Sequence, residues 1–171
     1  TIYKVNNRLI NVEINLEEGR KYYFRNIEWV GNTKYPAGVL DKILGIKKGD
    51  VYDQSRLEAN LFMNPNGRDV SSLYLDDGYL FFNVEPVEAL VVNDSIDLEM
   101  RIREGKQATI NKVTVVGNTK TNDHVILREL RTKPGQLFSR ADIIRSQREL
   151  SQLGYFNAET LGVEPKPNPV D

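Results

Sequence analysis

The sequence predicts an α+β protein made of two tandem β-α-α-β-β modules, each a three-stranded sheet covered on one face by two helices. Three observations predict it. The chain repeats itself at a fixed offset, each copy opens with a strand ending in Gly-Asn, and each second helix ends at a glycine before an extended segment.

The offset is 86 residues, read from Gly19 and Gly105, Gly31 and Gly117, and Lys34 and Lys120. It persists downstream, pairing Val39 with Val125, Leu44 with Leu130, Lys47 with Lys133 and Gly49 with Gly135. Upstream, Ile10, Val12, Ile14 and Leu16 match Ile96, Leu98, Met100 and Ile102. Gly78-Tyr79 and Gly154-Tyr155 lie only 76 apart, so the first copy carries about ten extra residues. The segment Asn64-Pro65-Asn66-Gly67 has the composition of such an insertion.

Each element follows from its pattern. Tyr22, Phe24, Ile27 and Val30 alternate with one slip and stop at Gly31-Asn32, a pair suited to positive φ. Ile110, Val113 and Val115 do the same before Gly117-Asn118. A short helix follows, with Val39, Leu40, Ile43 and Leu44 forming one buried stripe and Val125, Ile126, Leu127 and Leu130 its counterpart. The second helix starts at Asp53 or Ser139, both good N-caps. In the second copy Ile143, Leu150 and Leu153 carry its apolar face up to Gly154; in the first the insertion splits it, and it resumes near Asp69 and stops at Asp77-Gly78. Leu80 to Val92 and Ser95 to Arg103 then read as a hairpin turning at Asn93-Asp94. Ile96, Leu98, Met100 and Ile102 point to one face of it, and Asp97, Glu99, Arg101 and Arg103 to the other. The divisions expected are 1–18, the final strand of a further module; 19–104, a module with the insertion near 64–70; and 105–171, a module that stops at the opening of its own final strand. The joint Arg103-Glu104-Gly105-Lys106 is short, and small modules should lean on one another.

Lys and Arg number 23 against 24 Asp and Glu, a net charge of −1 without the basic surplus that marks a nucleic-acid binder. There is no cysteine, which removes thiolate chemistry, and His124, the single histidine, has no second ligand or nucleophile in view. Asp76-Asp77 reads as a solvated helix end. No cofactor, metal or catalytic set is expected, and the chain reads as a binding scaffold.

The β-α-α-β-β order, with Val30-Gly31-Asn32-Thr33 and Val116-Gly117-Asn118-Thr119 closing first strands and Gly78-Tyr79 and Leu153-Gly154-Tyr155-Phe156 following second helices, resembles the POTRA domain. Arg140 to Phe156 is similar to the last POTRA of the Omp85 family, of the BamA type, and the first copy to the penultimate one. The resemblance implies a periplasmic scaffold of an outer-membrane β-barrel assembly machine, attached to a C-terminal membrane barrel, that binds unfolded outer-membrane proteins and docks accessory lipoproteins. A two-partner-secretion or Tam-type translocation pore is the alternative within the family. Peptide capture would use strand edges, whose unpaired backbone groups accept an extended chain with little regard for its side chains. The expected edges are Leu80 to Val91, with Leu80, Phe81, Phe82, Val84 and Val87, and Ala158 to Glu164, with Ala158, Thr160, Leu161 and Val163. Pro86 and Pro165 each remove a donor. Relatives place an acidic residue for lipoprotein docking where this chain has Pro134, beside Arg128, Glu129 and Arg131.

Overall fold

A computed structural model describes residues 2–4, 10–64 and 66–167. In chain order the elements are β1 (Ile2–Lys4), β2 (Ile10–Val12), β3 (Tyr23–Val30), α1 (Ala37–Leu44), α2 (Gln54–Phe62), α3 (Val70–Leu75), β4 (Asn83–Val92), β5 (Ser95–Arg103), α4 (Asp123–Glu129) and α5 (Arg140–Gln152).

In the first module the sheet order is β3-β5-β4, so the last strand made is the central one. β5 runs parallel to β3 and antiparallel to β4, and both partners are edges. Ile96, Leu98, Met100 and Ile102 of β5 are buried, as their alternation predicts. The slip in β3 is a register shift between Phe24 and Asn26 that turns Phe24, Ile27 and Trp29 inward. Val30 therefore points outward and is exposed, against the expectation that it joins the core, and Trp29 takes the inner place, donating Nε1–H to Asp41 at 2.7 Å. Across the outer face, Arg25 holds Asp97 with Nε to Oδ1 at 2.7 Å and Nη2 to Oδ2 at 2.5 Å, and this guanidinium keeps the Asp97 carboxyl below its ordinary range.

The helices close the inner face. Leu40 and Leu44 of α1 and Leu57 and Leu61 of α2 are buried. Asp53 caps α2 by accepting from Arg56 N at 3.0 Å. The inserted residues break the second helix as expected: α2 ends at Phe62, and α3 starts under Asp69, whose carboxylate accepts from Ser72 N at 2.7 Å. Pro65 lies outside the described residues. Tyr74, fully buried, is the hub of the aromatic core, with Phe82 stacked on it at 4.1 Å and Tyr35 edge-on at 5.0 Å.

Gly31 shows why the first strand ends in Gly-Asn. Its φ is +89°, and a Cβ there would meet the Ile102 carbonyl oxygen at 2.2 Å. The chain then turns with Asn32 Nδ2 on the Tyr35 carbonyl at 2.9 Å. Glu104, just past β5, accepts from Thr33 N and Lys34 N at 2.8 Å each, from the Thr33 hydroxyl, and from Tyr74 Oη at 3.1 Å. Burial pushes the Glu104 carboxyl up, and the four hydrogen bonds outweigh it and hold the group below the usual carboxylate range.

The second module repeats these local devices at the same offset. Phe24 N to Asp50 O at 2.9 Å becomes Ile110 N to Gln136 O at 2.8 Å, and Gly49 N to Phe24 O becomes Gly135 N to Ile110 O, both 2.7 Å. Asn118 Nδ2 again reaches three residues ahead, to Thr121 O at 2.8 Å. Ser139 caps α5 at Asp142 N, 3.2 Å. The core is smaller, with Ile126, Leu130 and Leu150 buried and Val113, Val115, Leu153, Phe156 and Leu161 packed against them.

Two expected strands are not formed there. Residues 110–116 hold no ladder, and Ala158 to Thr160 form a turn on Asn157 instead of the start of an edge strand. The reason lies in the topology. In the first module β5 stands between β3 and β4, and among the described residues the second module holds no counterpart of that central strand. The hairpin also starts later than its composition suggests, since Leu80 to Phe82 form a turn, with Leu80 N on Gly78 O at 2.9 Å and Phe82 N on Tyr79 O at 3.0 Å. At the N-terminus the expected strand Leu9 to Glu18 reduces to Ile10–Val12, and residues 13–22 are not strand; Leu9 is outside the described residues.

Candidate functional site

Three surfaces can bind something: the β4 edge, a cleft between α4 and α5, and the junction of the modules. β4 runs ten residues and, among the described residues, pairs on one side only, so its other side offers backbone groups to an incoming strand. A register shift between Glu88 and Leu90 twists it, and Pro86 has no N–H to give.

The expected edge residues fall into different roles. Phe82 is part of the core, while Phe81 is 57% exposed and packs its Cβ over Gly105. Leu80 is half-buried in the turn. Val84 is 2% exposed, so its side chain belongs to the core and only its backbone faces the edge. Val87 is half-buried opposite Glu99. The alternation missed the apolar end of the strand: Leu90, Val91 and Val92 are all exposed. In the second module Ala158 and Thr160 are exposed in their turn, Leu161 packs on the small core with its carbonyl accepting from Gln147 at 3.0 Å, and Val163 is half-buried.

Arg128, Glu129 and Arg131 do come together. With Lys133, Arg145 and Glu149 they line a cleft of about 480 Å³ between α4 and α5. Arg131 forks onto Glu149, Nη2 to Oε1 at 2.8 Å, which keeps the Glu149 carboxyl below its ordinary range. Ser146, fully buried, accepts from Arg131 N at 2.9 Å and fixes the turn that holds the cleft. Pro134 is exposed on the loop and does not line it.

The junction was not legible as a site. Asp76-Asp77-Gly78 is not a solvated helix end, because the second module is built onto it. Asp76 Oδ1 accepts from Ala141 N at 2.7 Å, in the first turn of α5. Gly78 O accepts from Ala108 N at 2.8 Å, Asp77 O accepts from Gln107 at 2.8 Å, and Leu137 packs on Gly78. Asp77 itself holds Lys34 at 3.1 Å and the Tyr35 hydroxyl at 3.1 Å. Arg140 reaches into the break made by the insertion. It donates to Phe62 O at 3.1 Å and Ser72 Oγ at 3.4 Å and lies 3.7 Å from the buried Asp69 carboxylate. The inserted residues thus create the open carbonyl and the capping acid that receive Arg140.

The three-stranded sheet with its helices, and the second copy of its local devices, define a class. The POTRA family model, described as surface antigen variable number repeat, matches residues 22–105 and 108–171, and the chain belongs to that family. Its relatives narrow the class. Over 149 residues it is 30% identical to the outer membrane protein assembly factor BamA of Nitratidesulfovibrio vulgaris, covering 86% of this chain and 19% of that protein. Against the BamA of Neisseria meningitidis serogroup B it is 26% identical over 149 residues, covering 85% of this chain and 18% of that protein. Its fold matches the crystal structure of Haemophilus influenzae BamA POTRA3-5 with a TM-score of 0.73 at 19% identity, covering 100% of this chain and 65% of that one. For Haemophilus ducreyi BamA lacking POTRA domains 1-3 the TM-score is 0.68 at 19% identity, with coverage of 88% and 27%. The chain is a tandem POTRA region of a BamA-type Omp85 protein, and it spans 18–19% of the length of these two curated relatives.

Proposed function

We propose that this region acts at the periplasmic face of the outer membrane as a scaffold of barrel assembly, beside a C-terminal membrane barrel. It receives unfolded outer-membrane proteins by strand addition on β4 and docks accessory lipoproteins at the α4–α5 cleft. The observation that carries the reading is the topology. β4 is a ten-residue edge strand whose free side is interrupted only by Pro86 and the shift at Glu88. Backbone pairing reads strand conformation and not sequence, which suits a receptor for many unrelated barrels. The exposed Leu90, Val91 and Val92 add apolar contact for alternate side chains of a guest. At the cleft, Lys133 and Arg145 offer cations to acidic side chains of a partner, while Arg128 is paired with Glu129 and Arg131 with Glu149. The work is binding and positioning, and the named relatives are assembly factors.

The test is a titration of extended outer-membrane-protein peptides followed by amide NMR shifts. Shifts are expected along Asn83 to Val92, weak and tolerant of peptide sequence. Shifts confined to helix surfaces refute strand addition.

A further inference from the structure

We propose that the break between α2 and α3 is a recognition site for a guanidinium, and that Arg140 is the residue that matches the second module to the first. Asp69 carries the case. Its side chain is 1% exposed, and it accepts from Ser72 N at 2.7 Å, the Ser72 hydroxyl at 2.8 Å and Asn64 N at 3.2 Å, all within the first module. Those three donors are neutral. A buried carboxylate calls for a counter-charge as well as hydrogen bonds. Among the described residues the one cation within ion-pair distance of it is Arg140, at 3.7 Å, and that cation comes from the second module.

The same guanidinium serves other groups that the break leaves open. The Phe62 carbonyl lies in the last turn of α2, where no further helical N–H can reach it, and Arg140 Nη1 donates to it at 3.1 Å. Nη1 also lies 3.4 Å from Ser72 Oγ. A guanidinium holds several N–H donors in one plane and stays charged, so one group can meet a carbonyl, a hydroxyl and a carboxylate together. The Arg140 side chain is 25% exposed, so salt screens this contact less than it screens a surface pair.

The contact is selective because neither half of it is repeated. The 86-residue offset carries Arg140 to Gln54, whose amide bonds Glu58 on its own helix at 2.8 Å. In the second module α5 runs unbroken from Arg140 to Gln152, and among the described residues that module buries no acidic side chain. The remaining contacts across the junction discriminate little. Ala108 and Ala141 donate main-chain N–H groups that any following module would bring, and Leu137 corresponds to Val51, another aliphatic residue. Arg140 with Asp69 is the one ion pair between the modules among the described residues. The neighbour that fits the break is therefore a module with arginine directly after the N-cap of its second helix. This role goes beyond peptide capture and stands whether or not β4 binds a guest.

A double-mutant cycle on the 171-residue chain tests it, read by amide exchange at Ala108 and Ala141 and by residual dipolar couplings between the modules. Arg140→Gln gives the second module the side chain type that the first carries at Gln54. Asp69→Asn keeps an oxygen for the Ser72 N–H and removes the charge, and the cycle cancels whatever this change does to α3 alone. In Arg140→Gln, exchange at Ala108 and Ala141 is expected to quicken by roughly tenfold, a mid-range coupling for residues in contact. Leu44 and Leu150 should stay protected, and in the Asp69→Asn background Arg140→Gln should add little. Three results overturn the proposal: effects of the two changes that simply add, unaltered exchange at Ala108 and Ala141 in Arg140→Gln, or equal quickening at Leu44 and Leu150, which would assign Arg140 to the fold and not to the match.

Discussion

Replacing Asp76 by alanine is the most direct perturbation of the junction. Its carboxylate accepts from Ala141 N at 2.7 Å, doing for α5 from another module what an N-cap does from its own chain. Losing a capping side chain costs about 1 kcal/mol. That corresponds to roughly fivefold in the opening equilibrium, since about 1.4 kcal/mol is a factor of ten. The Ala141 amide in Asp76→Ala is expected to exchange about fivefold faster. Ser72 and Tyr74, which sit in α3 and do not depend on the bond, should keep their protection. Asp76→Asn retains an acceptor oxygen and loses the charge facing the helix terminus, a contribution of about 0.3–1 kcal/mol that salt screens. It should fall between wild type and alanine and approach wild type at high ionic strength. Residual dipolar couplings read the same variants at the level of whole modules, where Asp76→Ala should broaden the inter-module angle. An unchanged Ala141 exchange rate with unchanged couplings refutes the cross-module cap.

Gly31→Ala should lower stability by roughly 3 kcal/mol, seen as a lower urea midpoint, because positive φ costs about 1–2 kcal/mol and the new Cβ collides with the Ile102 carbonyl. Gly117→Ala carries only the first cost in this chain, as nothing lies within 4 Å, and equal effects at both positions would contradict the contact. Acid should loosen the first module through Glu104 and Asp97. Both folded pKa values are depressed, so their contribution is complete above the unfolded value, near ~4 for these residues, and is lost as pH falls through the folded values. Glu104→Gln should blunt the acid limb of a thermal-melting profile, and an unaltered limb would remove Glu104 from the account.

Much of the first module was legible because its signals are local. The alternation of Ile96 to Ile102, the cap Asp53, the break at the insertion and the Gly31 turn each depend on a few neighbouring residues. What escaped depends on distant ones. Leu80 to Phe82 is apolar enough to read as strand, yet the ring of Phe82 is claimed by Tyr74 and the backbone turns. Val30 was misplaced because the register shift at Asn26 is made against β5, some seventy residues on, which no pattern within β3 reveals. Residues 110–116 and 158–164 are apolar enough to read as strands, yet they form none among the described residues. Asp76 reads in the sequence as part of a solvated helix end, since only the packing of α3 on α5 gives it its partner.

The position of β5 between β3 and β4 also sets an order in time. A chain made from its N-terminus completes β3, three helices and β4 before the strand that joins them exists. Until then the two future edges have no backbone partner, and the parallel pairing of Tyr23 with Ser95 must close a loop of about seventy residues, a slow step for a small domain. Glu104 follows β5 directly and clasps Thr33 and Lys34 as soon as that strand is seated. The first module therefore locks at its last residues, and the second begins from Gly105 on a neighbour that has just become rigid.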